Sequence, residues 1–427
     1  MSERIRSYLC LAHMSEAGLE QKYIKEAFDT NWVVPLGPNV KGFEHDLEEF
    51  VNENENQNEK LAKRVVALSS GTAAVHLALI NCGVKAGDEV CVQSFTFCAS
   101  SHPITYLGAT PVFIDSEKDT WNMDPELLEE AIKDRIAKTG KKPKAIVPVA
   151  LYGMPYNIDR IMEIANRYDI PVVEDAAEGF GSRWKGQVLG TFGKYGVLSF
   201  NGNKMITTSG GGALITNNEE EWREIMMYAT QYRESYPYYQ HEKIGFNYRM
   251  SNICAGIGRG QMTVVNDHIA HHKHVQALYE ELLKDVKGIT VHAQPTTGEY
   301  DSNYWLCTIT LDENVRIKGQ ENAYKTIVQG AVGGAAGVIH VADSATTDCQ
   351  PNDNVEALRV FMDAAGIEAR PVWKPMHKQP VYKNCPAYVN GVSEAVFKVG
   401  MRLPAGPYVS EEDVHYIVDT IKSAIVA

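Results

Sequence analysis

Between residues 65 and 216, short apolar runs alternate with stretches that have the composition and spacing of helices. This alternation is typical of strands joined by crossover helices. Most runs are apolar throughout, so we expect each strand to be covered on both faces. The runs span residues 65–68, 90–93, 111–114, 145–149, 171–174, 196–200 and 213–216. The chain is therefore predicted to be α/β, with a mainly parallel, seven-stranded sheet flanked by helices.

The pattern changes after Gln261, where a long polar stretch of helical spacing is followed by shorter elements. A chain of 427 residues is long enough for two domains. We predict a large domain over residues 1–265 and a smaller C-terminal α/β domain over residues 266–427. Within the latter, residues 330–347 are rich in Gly, Ala, Ser and Thr. That composition fits either a mobile loop or a helix packed through small side chains.

The charge balance limits the classes of partner. The chain has 41 Lys and Arg against 54 Asp and Glu, a formal net charge of -13, so its overall field repels nucleic acid and anionic membranes. Its 8 cysteines are scattered without the paired spacing of a zinc or redox site. No apolar run approaches the length of a membrane span or a signal-peptide core. We therefore expect a cytoplasmic protein that binds neither nucleic acid nor membrane.

The tetrapeptide SSGT at residues 69–72 follows the first predicted strand and opens a helix-like stretch at 73–79. Backbone N–H groups and a hydroxyl would converge there at the positive end of a helix, which favours phosphate binding. A helix cap without any ligand explains the same tetrapeptide. The motif by itself leaves both interpretations open.

Asp175 stands at the end of the apolar run IPVVED. Open α/β sheets bind ligands beyond the carboxyl ends of their strands, so a carboxylate there is well placed. Against a pyridine nitrogen it would keep that nitrogen protonated and make the ring an electron sink. The alternative is an aspartate that caps the next helix.

Lys204 follows another predicted strand end, in the sequence SFNGNK. A lysine there could form a Schiff base with a carbonyl cofactor, although most lysines are solvated surface charges. Gly202 precedes it and the run SGGG at residues 209–212 follows it, and these glycines let the backbone turn tightly around a bulky ligand. Ser199 could add a phosphate contact.

Three segments occur in the order SSGTAAVHLAL, EDAAEGFGS and SFNGNKMITTSGGG. Together they resemble the DegT/DnrJ/StrS family of sugar-nucleotide aminotransferases, a branch of the fold-type I pyridoxal-phosphate enzymes. The likeness extends over nearly the whole chain through VVPLGPNVKGFE, SFTFCASSHPITYLGATPVFID, GFNYRMSN and RPVWKPMH. It is greatest to members that aminate C4 of UDP-linked 4-keto-6-deoxy-N-acetylhexosamines. The resemblance implies pyridoxal 5'-phosphate as cofactor, a nucleotide sugar as acceptor and an amino acid, expected to be L-glutamate, as donor.

The resemblance also implies roles for individual residues. Lys204 would hold the cofactor covalently and later move the proton, and Asp175 would contact the pyridine nitrogen. Gly71, Thr72 and Ser199 would bind the phosphate. Members of the family that remove the C3 hydroxyl of a keto-sugar have His where this chain has Lys204, so the lysine favours transamination.

Three further positions complete the implied cofactor site. Phe97 would stack on the cofactor ring, and Glu178 would lie near its phenolic oxygen, where many relatives have Gln. Asn247 would reach the phosphate of the neighbouring subunit's cofactor. The resemblance therefore implies a homodimer with shared active sites.

A sugar nucleotide carries a diphosphate, which needs local cations in an acidic chain. Five basic residues lie in motif segments: Arg183, Lys185, Arg249, Lys374 and His377. Of these, we predict substrate contacts for Arg249 and His377, beside segments that resemble active-site loops. Surface charges or intrachain salt bridges are the alternative for all five.

The stretch after Gln261 carries four histidines at i, i+3 and i+4 spacing: His268, His271, His272 and His274. Such spacing could chelate a metal on one helix face. Transamination needs no metal, and no carboxylate or Cys motif accompanies the cluster. We predict no metal site and assign the histidines to a polar helix that links the domains.

Two other functions remain open from the sequence. One is a catalytically silent regulatory protein that binds the cofactor or the sugar nucleotide on the same fold, since fold alone does not fix function. The intact pair of Lys204 and Asp175 argues against it, and the acidic chain offers no basic patch for nucleic acid. The other is a transaminase of free amino acids only.

Overall fold

The structure, a computed structural model, describes residues 6–53, 63–324 and 349–426. Its strands are β1 (Arg64–Leu68), β2 (Glu89–Gln93), β3 (Thr110–Ile114), β4 (Ile146–Val147), β5 (Val173–Asp175), β6 (Arg183–Trp184), β7 (Gln187–Val188), β8 (Tyr195–Ser199), β9 (Gly212–Thr216), β10 (Ile289–Val291), β11 (Tyr300–Asp301), β12 (Cys307–Leu311), β13 (Arg370–Pro371), β14 (Ala387–Tyr388) and β15 (Gly400–Leu403). Its α-helices are α1 (Leu19–Asp29), α2 (Pro38–Val51), α3 (Gly71–Asn81), α4 (His102–Tyr106), α5 (Pro125–Thr139), α6 (Ile158–Tyr168), α7 (Glu219–Ala229), α8 (Asn252–Met262), α9 (Val265–Leu283), α10 (Asp353–Ala364), α11 (Val392–Val399) and α12 (Glu411–Ala424).

All seven predicted runs contain strands, namely β1 to β5, β8 and β9. They form two ladders in the orders β14-β3-β2-β4 and β1-β9-β8-β5. Parallel bridges from Ile146 to Val172 and from Val149 to Asp175 join the ladders between β4 and β5. Every pair in the ladders is parallel except those of β9, which runs antiparallel to β1 and β8. The prediction of a mainly parallel sheet is confirmed.

The burial of β1 shows why the runs are apolar throughout. Val65 and Ala67 belong to one buried apolar cluster, and Val66 and Leu68 belong to another. Successive residues of a strand point to opposite faces, so both faces of the sheet are covered. The continuous apolar run follows directly from this burial.

An eighth strand, β14, comes from the C-terminal part of the chain and pairs in parallel with β3. Its attachment depends on Asp115, whose carboxylate is buried and accepts hydrogen bonds from the N–H groups of Gly391 at 2.9 Å and Ser393 at 3.2 Å. A two-residue strand held by a distant carboxylate has no apolar run of its own. The sequence pattern therefore gives no sign of it.

The C-terminal part contains a second sheet, in the antiparallel order β10-β12-β15-β13. Helices α9, α10 and α12 pack with it around a third buried apolar cluster. The predicted polar helix after Gln261 is α9. The domain boundary at residues 265/266 stays a prediction, and residues 330–347 lie outside the described residues.

Helix α9 distributes its histidines among separate partners. The ring of His268 bonds to the carbonyl of Met205 at 3.1 Å, and that of His272 bonds to the carbonyl of Tyr304 at 3.1 Å. His274 pairs with Glu411 at 2.7 Å. Within residues 6–53, 63–324 and 349–426, no helix is both long and apolar enough to cross a lipid bilayer.

Candidate active site

One cavity of about 330 Å³ lies at the carboxyl ends of the parallel strands. Seven of the ten predicted site residues line it: Gly71, Thr72, Phe97, Asp175, Glu178, Ser199 and Lys204. The other three, which are Asn247, Arg249 and His377, are not among its lining residues. The loops that follow β1, β5 and β8 therefore converge as strand-end positions in a parallel sheet should.

The SSGT turn forms the start of helix α3, with Ser70 as N-cap. The Ser70 hydroxyl accepts from the N–H of Ala73 at 3.0 Å, and Gly71 and Thr72, the first two residues of the helix, line the cavity. A Cβ on Gly71 would come within 3.0 Å of the Ser199 side chain, and a Cβ on Gly212 would lie 2.4 Å from the Gly71 nitrogen. Glycine at both positions lets the turn lie against β8 and β9, leaving a cradle of N–H groups at a helix N-terminus.

Asp175 ends β5, and the residue is 5% exposed. It accepts from the Ser100 hydroxyl at 2.6 Å and from the N–H of Ala177 at 3.1 Å. Burial raises the pKa of Asp175, and the two hydrogen bonds and the charge of Lys204 oppose that rise. Residues 176–182 form no helix, so the alternative of a helix cap fails.

Lys204 lies on the loop after β8, and its side chain is 13% exposed. Its Nζ lies 3.6 Å from Glu178 Oε1 and 4.0 Å from the centroid of the Trp305 ring. An ammonium over an aromatic face and near a carboxylate is stabilised by both. The lysine is thus held inside the cavity and does not extend into solvent as most lysines do.

The loop that carries Lys204 is fixed by three distant parts of the chain. The Trp305 indole donates to the carbonyl of Asn203 at 2.6 Å, and the N–H of Ala12 donates to the carbonyl of Gly202 at 3.1 Å. The bond from His268 of α9 to the carbonyl of Met205 is the third. These contacts position the amine from outside the sheet.

Glu178 is buried beside Lys204, and its Oε2 accepts from the N–H of Tyr152 at 2.7 Å. Burial raises the pKa of the Glu178 carboxyl, and the positive charge of Lys204 opposes that rise. The neighbouring carboxylate of Asp175 raises the pKa of Glu178 further. The carboxyl therefore depends on nearby cations for its negative charge.

Phe97 and Trp373 form an aromatic wall of the cavity, with ring centroids 5.3 Å apart. Phe97 keeps 49% of its surface exposed although it lines the cavity. A large aromatic ring left half-exposed at a cavity wall is available for stacking on a planar ligand. This is where the resemblance assigns the ring of the cofactor.

The remaining predicted residues have other neighbours. Arg249 bonds to the Glu44 carboxylate at 2.6 Å and to the carbonyl of Ala67 at 3.0 Å. His377 bonds through Nδ1 to the Ser94 hydroxyl at 2.6 Å and through Nε2 to Glu394 at 3.2 Å.

Asn247 is exposed, and its backbone forms a bridge with Thr230. Its side chain therefore faces the surface of this chain. That placement leaves the expected contact with a neighbouring subunit as a prediction.

Ser100, Trp305 and Trp373 are among the lining residues of the cavity that sequence reasoning did not predict. Ser100 and Trp373 lie inside segments that carry the family resemblance, so those segments were the available signal. Trp305 lies in DSNYWLC, outside any motif, about a hundred residues from the lysine whose amine it covers. No sequence motif near Trp305 indicates that it lines the cavity.

The residues that line the cavity suit pyridoxal phosphate. The N-terminus of helix α3 lies at the cavity, with Gly71 and Thr72 in its lining, which suits a phosphate. The buried carboxylate of Asp175 calls for a cationic partner, which a protonated pyridine supplies. Lys204 offers the amine, so the fold and the cavity define a fold-type I pyridoxal-phosphate-dependent enzyme.

The model of the DegT/DnrJ/EryC1/StrS aminotransferase family matches residues 15–335 and 320–422. The chain belongs to this family and is a pyridoxal-phosphate-dependent sugar aminotransferase, as the sequence resemblance predicts. EpsN of Bacillus subtilis (strain 168), provisionally named a pyridoxal phosphate-dependent aminotransferase, is 40% identical over 97% of this chain and 94% of its own. GDP-perosamine synthase of Escherichia coli O157:H7 is 32% identical over 97% of this chain and 98% of its own.

A solved structure gives the same result for the fold. The crystal structure of a DegT DnrJ EryC1 StrS aminotransferase from Brucella abortus superposes with a TM-score of 0.78 at 27% identity. The superposition covers 95% of both chains. The predicted fold-type I architecture is confirmed.

Proposed function

We propose that this enzyme transfers an amino group from L-glutamate to C4 of a UDP-linked 4-keto-6-deoxy-N-acetylhexosamine. The observation that carries the proposal is the meeting of Lys204 and Asp175 in one cavity with the N–H groups that start α3. Fold and family fix the reaction class. The sugar, the nucleotide base and the donor are the proposed part.

Pyridoxal phosphate, when bound, supplies an electron sink that lets a proton leave the carbon next to the transferred nitrogen. Gly71, Thr72 and Ser199 would hold its phosphate, and Phe97 would stack on its ring. Asp175 would keep the pyridine nitrogen protonated, with Ser100 fixing the direction of that carboxylate at 2.6 Å.

Lys204 would hold the cofactor covalently before the substrate arrives and afterwards act as general acid and base at the reacting carbon. Its loop is held at Asn203 by Trp305, so the amine returns to one position after each step. Glu178 would face the phenolic oxygen and serve as the nearest carboxylate to the amine.

The space beyond the cavity supports a substrate with two parts. A second cavity of about 500 Å³ shares Thr96, Phe97 and Trp373 with the first. It is also lined by Lys374 and His102, whose side chains can meet phosphate oxygens. The sugar would lie in the first cavity and the nucleotide in the second.

A homodimer with shared active sites is the proposed assembly. Trp32, Leu36 and Ile244 are large apolar residues that stay exposed on this chain, with Ile244 at 86%. Such residues are typical of surfaces that a second subunit covers. Asn247, three residues from Ile244, would then reach the neighbouring cofactor's phosphate. A cytoplasmic location likewise stays a prediction.

The test separates the two half-reactions. The protein loaded with pyridoxal phosphate is mixed with L-glutamate, and 2-oxoglutarate is measured with and without UDP- or GDP-linked 4-keto-6-deoxy sugars, each with and without a 2-acetamido group. We expect stoichiometric 2-oxoglutarate without sugar and continuous turnover with the UDP-linked acetamido sugar. The related GDP-perosamine synthase makes the GDP arm the necessary comparison.

Three results would overturn parts of the proposal. Continuous turnover only with the GDP-linked sugar would exclude the UDP assignment. Turnover with free keto acids alone would exclude a sugar acceptor. An Asp175→Asn variant with undiminished turnover would exclude the proposed contact with the pyridine nitrogen, since loss of that charge should slow turnover at least about 100-fold.

A further inference from the structure

Arg402 is a buried cation on β15 that the reaction scheme above does not use. It is 6% exposed, and its Nε donates to the carbonyl of Pro371 at 2.9 Å. Its guanidinium carbon lies 4.0 Å from the centroid of the Trp373 ring. Removing a guanidinium from water is costly unless charges or dipoles nearby compensate it. The groups that compensate the charge of Arg402 therefore indicate what the residue does.

A continuous series of contacts joins Arg402 to the catalytic amine. Arg402 stacks on the Trp373 ring, and the backbone N–H of Trp373 donates to the Tyr152 hydroxyl at 2.8 Å. Tyr152 donates its own N–H to Glu178 Oε2 at 2.7 Å, and Glu178 Oε1 lies 3.6 Å from Lys204 Nζ. Trp373 and Glu178 both line the cavity, whereas Arg402 is not among the lining residues. Arg402 can therefore act on the site only through them.

The charges around Glu178 show the electrostatic side of this arrangement. Burial raises the pKa of the Glu178 carboxyl, Lys204 and the Tyr152 N–H lower it, Asp175 raises it further and Arg402 lowers it. Of the two cations, Lys204 lowers the pKa of Glu178 more than Arg402 does. An amine bonded to a cofactor no longer offers Glu178 the same positive charge. Arg402 stays charged throughout, so it is the permanent cation among these neighbours.

The charges around Arg402 also link this residue to Glu178. Burial lowers the pKa of its guanidinium, Tyr152 and Glu178 raise it, and Arg370 lowers it. Glu368 is a further acidic neighbour that raises it, but its carboxylate already accepts bonds from Arg370 at 2.6 and 2.9 Å. Glu178 is therefore the acidic neighbour of Arg402 that belongs to the cavity.

We propose that Arg402 is a positioning residue for transamination: it fixes Trp373 by stacking and keeps Glu178 ionised opposite Lys204. This inference rests on the proposed role of Lys204. It also explains how an acidic residue works at a position where many relatives have Gln. A buried carboxylate needs a cation that remains throughout the reaction, and an arginine behind the cavity wall provides one.

The test replaces Arg402 by Met, which removes the charge and keeps much of the length. Without the cation the carboxylate form of Glu178 is less favoured, so it ionises at higher pH. We expect the acid-side midpoint of the kcat/KM profile, and of the visible absorption titration of the holoprotein, to rise by roughly 0.5 to 1 pH unit. Arg402→Lys, which keeps the charge, should move both midpoints less.

Two further variants separate this role from a purely structural one. In a Glu178→Gln background, Arg402→Met should produce no additional shift, because the titrating carboxyl is gone. Arg359→Met removes another buried arginine of the C-terminal part, bonded to Glu356 at 2.6 and 2.7 Å. It should lower the melting temperature without moving either midpoint.

Two outcomes would overturn the inference. One is an equal midpoint shift from Arg402→Met with Glu and with Gln at position 178. The other is an Arg402→Met variant that behaves as Arg359→Met does, losing stability alone. If the wild-type holoprotein shows no visible band and no turnover, it is the proposed function that fails. If the wild type is active and only the shift is missing, this inference alone fails.

Discussion

Lys204 Nζ lies 3.6 Å from Glu178 Oε1, close enough for charge attraction but longer than a hydrogen bond. The amine is also 4.0 Å from the Trp305 ring centroid. Neither contact fixes the direction of its protons. The two contacts hold the amine in place and leave it free to bond elsewhere. The role proposed for Lys204, which alternates between holding a cofactor and moving a proton, needs that freedom.

Replacement of Lys204 by Ala should abolish the visible absorption band of the holoprotein or convert it to that of noncovalently bound cofactor. Transamination should fall by about 1000-fold or more, since nucleophile and proton carrier are lost together. Absorption spectra and 2-oxoglutarate release measure both effects. Lys194→Ala, at an exposed lysine paired with Glu221 at 3.1 Å, should change neither. A persistent wild-type band in Lys204→Ala would contradict the assignment.

Lys374→Ala should weaken binding of the sugar nucleotide and leave the glutamate half-reaction unchanged. Loss of one charged hydrogen bond to a phosphate corresponds to an increase in KM of about tenfold or more. The two half-reactions are measured separately, with the exposed Lys383 changed to Ala as control. An equal effect on both half-reactions would place Lys374 outside the nucleotide subsite.

A mixture of two inactive variants should recover activity if the active sites are shared. Lys204→Ala and Asn247→Ala are unfolded together and refolded, so that half of the dimers combine one copy of each. In each mixed dimer, one site has both intact residues, and we expect about a quarter of wild-type turnover. Recovery no greater than the sum of the separate variants would argue that Asn247 serves its own subunit or none.

Arg249→Met should destabilise the protein strongly, because it leaves Glu44 buried without its cation. The two side chains are 10% and 11% exposed, and breaking such a pair costs roughly 3 to 5 kcal/mol. Adding Glu44→Gln should recover part of that loss. Urea unfolding measures the free energies, and KM for the sugar nucleotide is measured beside them. A raised KM with little loss of stability would instead support the predicted substrate contact of Arg249.

His292 gives the protein a pH dependence that one substitution should remove. Its ring stacks on Trp121 with centroids 3.6 Å apart, and burial lowers the pKa of His292 to about 4. The unfolded chain takes up the proton near its ordinary pKa of 6.5. The stability due to the neutral ring is therefore complete above pH 6.5 and is lost as the pH falls towards 4.

His292→Phe keeps the stack and removes the titrating group. The slope of unfolding free energy against pH should decrease by about 1.4 kcal/mol per pH unit between pH 6.5 and 4. Denaturant unfolding at a series of pH values measures it. The same substitution at the exposed His45 is the control. An unchanged slope would mean that the His292 ring is protonated in the folded state.

Much of the cofactor site follows from local sequence. Lys204 and Asp175 each end or follow an apolar run, and the ends of parallel strands meet at one edge of a sheet. The glycine turn at Gly71 is equally local, because a strand, a tight turn and a helix start occupy consecutive residues. For these positions, motif and strand order together were sufficient to predict that they meet at one cavity.

The basic residues were harder to assign from sequence. Arg249 lies in a motif segment yet bonds to Glu44, 205 residues away. Arg402 lies in no recognised motif and yet stacks behind the cavity wall. A guanidinium can reach in several directions from its backbone, so its partner depends on which distant element packs nearby.

The sequence by itself determined seven strands of the large sheet, the sheet edge where the cavity lies and the residue types that meet there. Apolar periodicity and strand-end position are properties of neighbouring residues, so they are legible without a structure. Only the tertiary structure decided that Trp305 covers the amine, that β14 joins the large sheet and that Arg402 stands behind Glu178. Those choices depend on contacts between residues far apart in the chain, and no local pattern records which of the available partners will pack together.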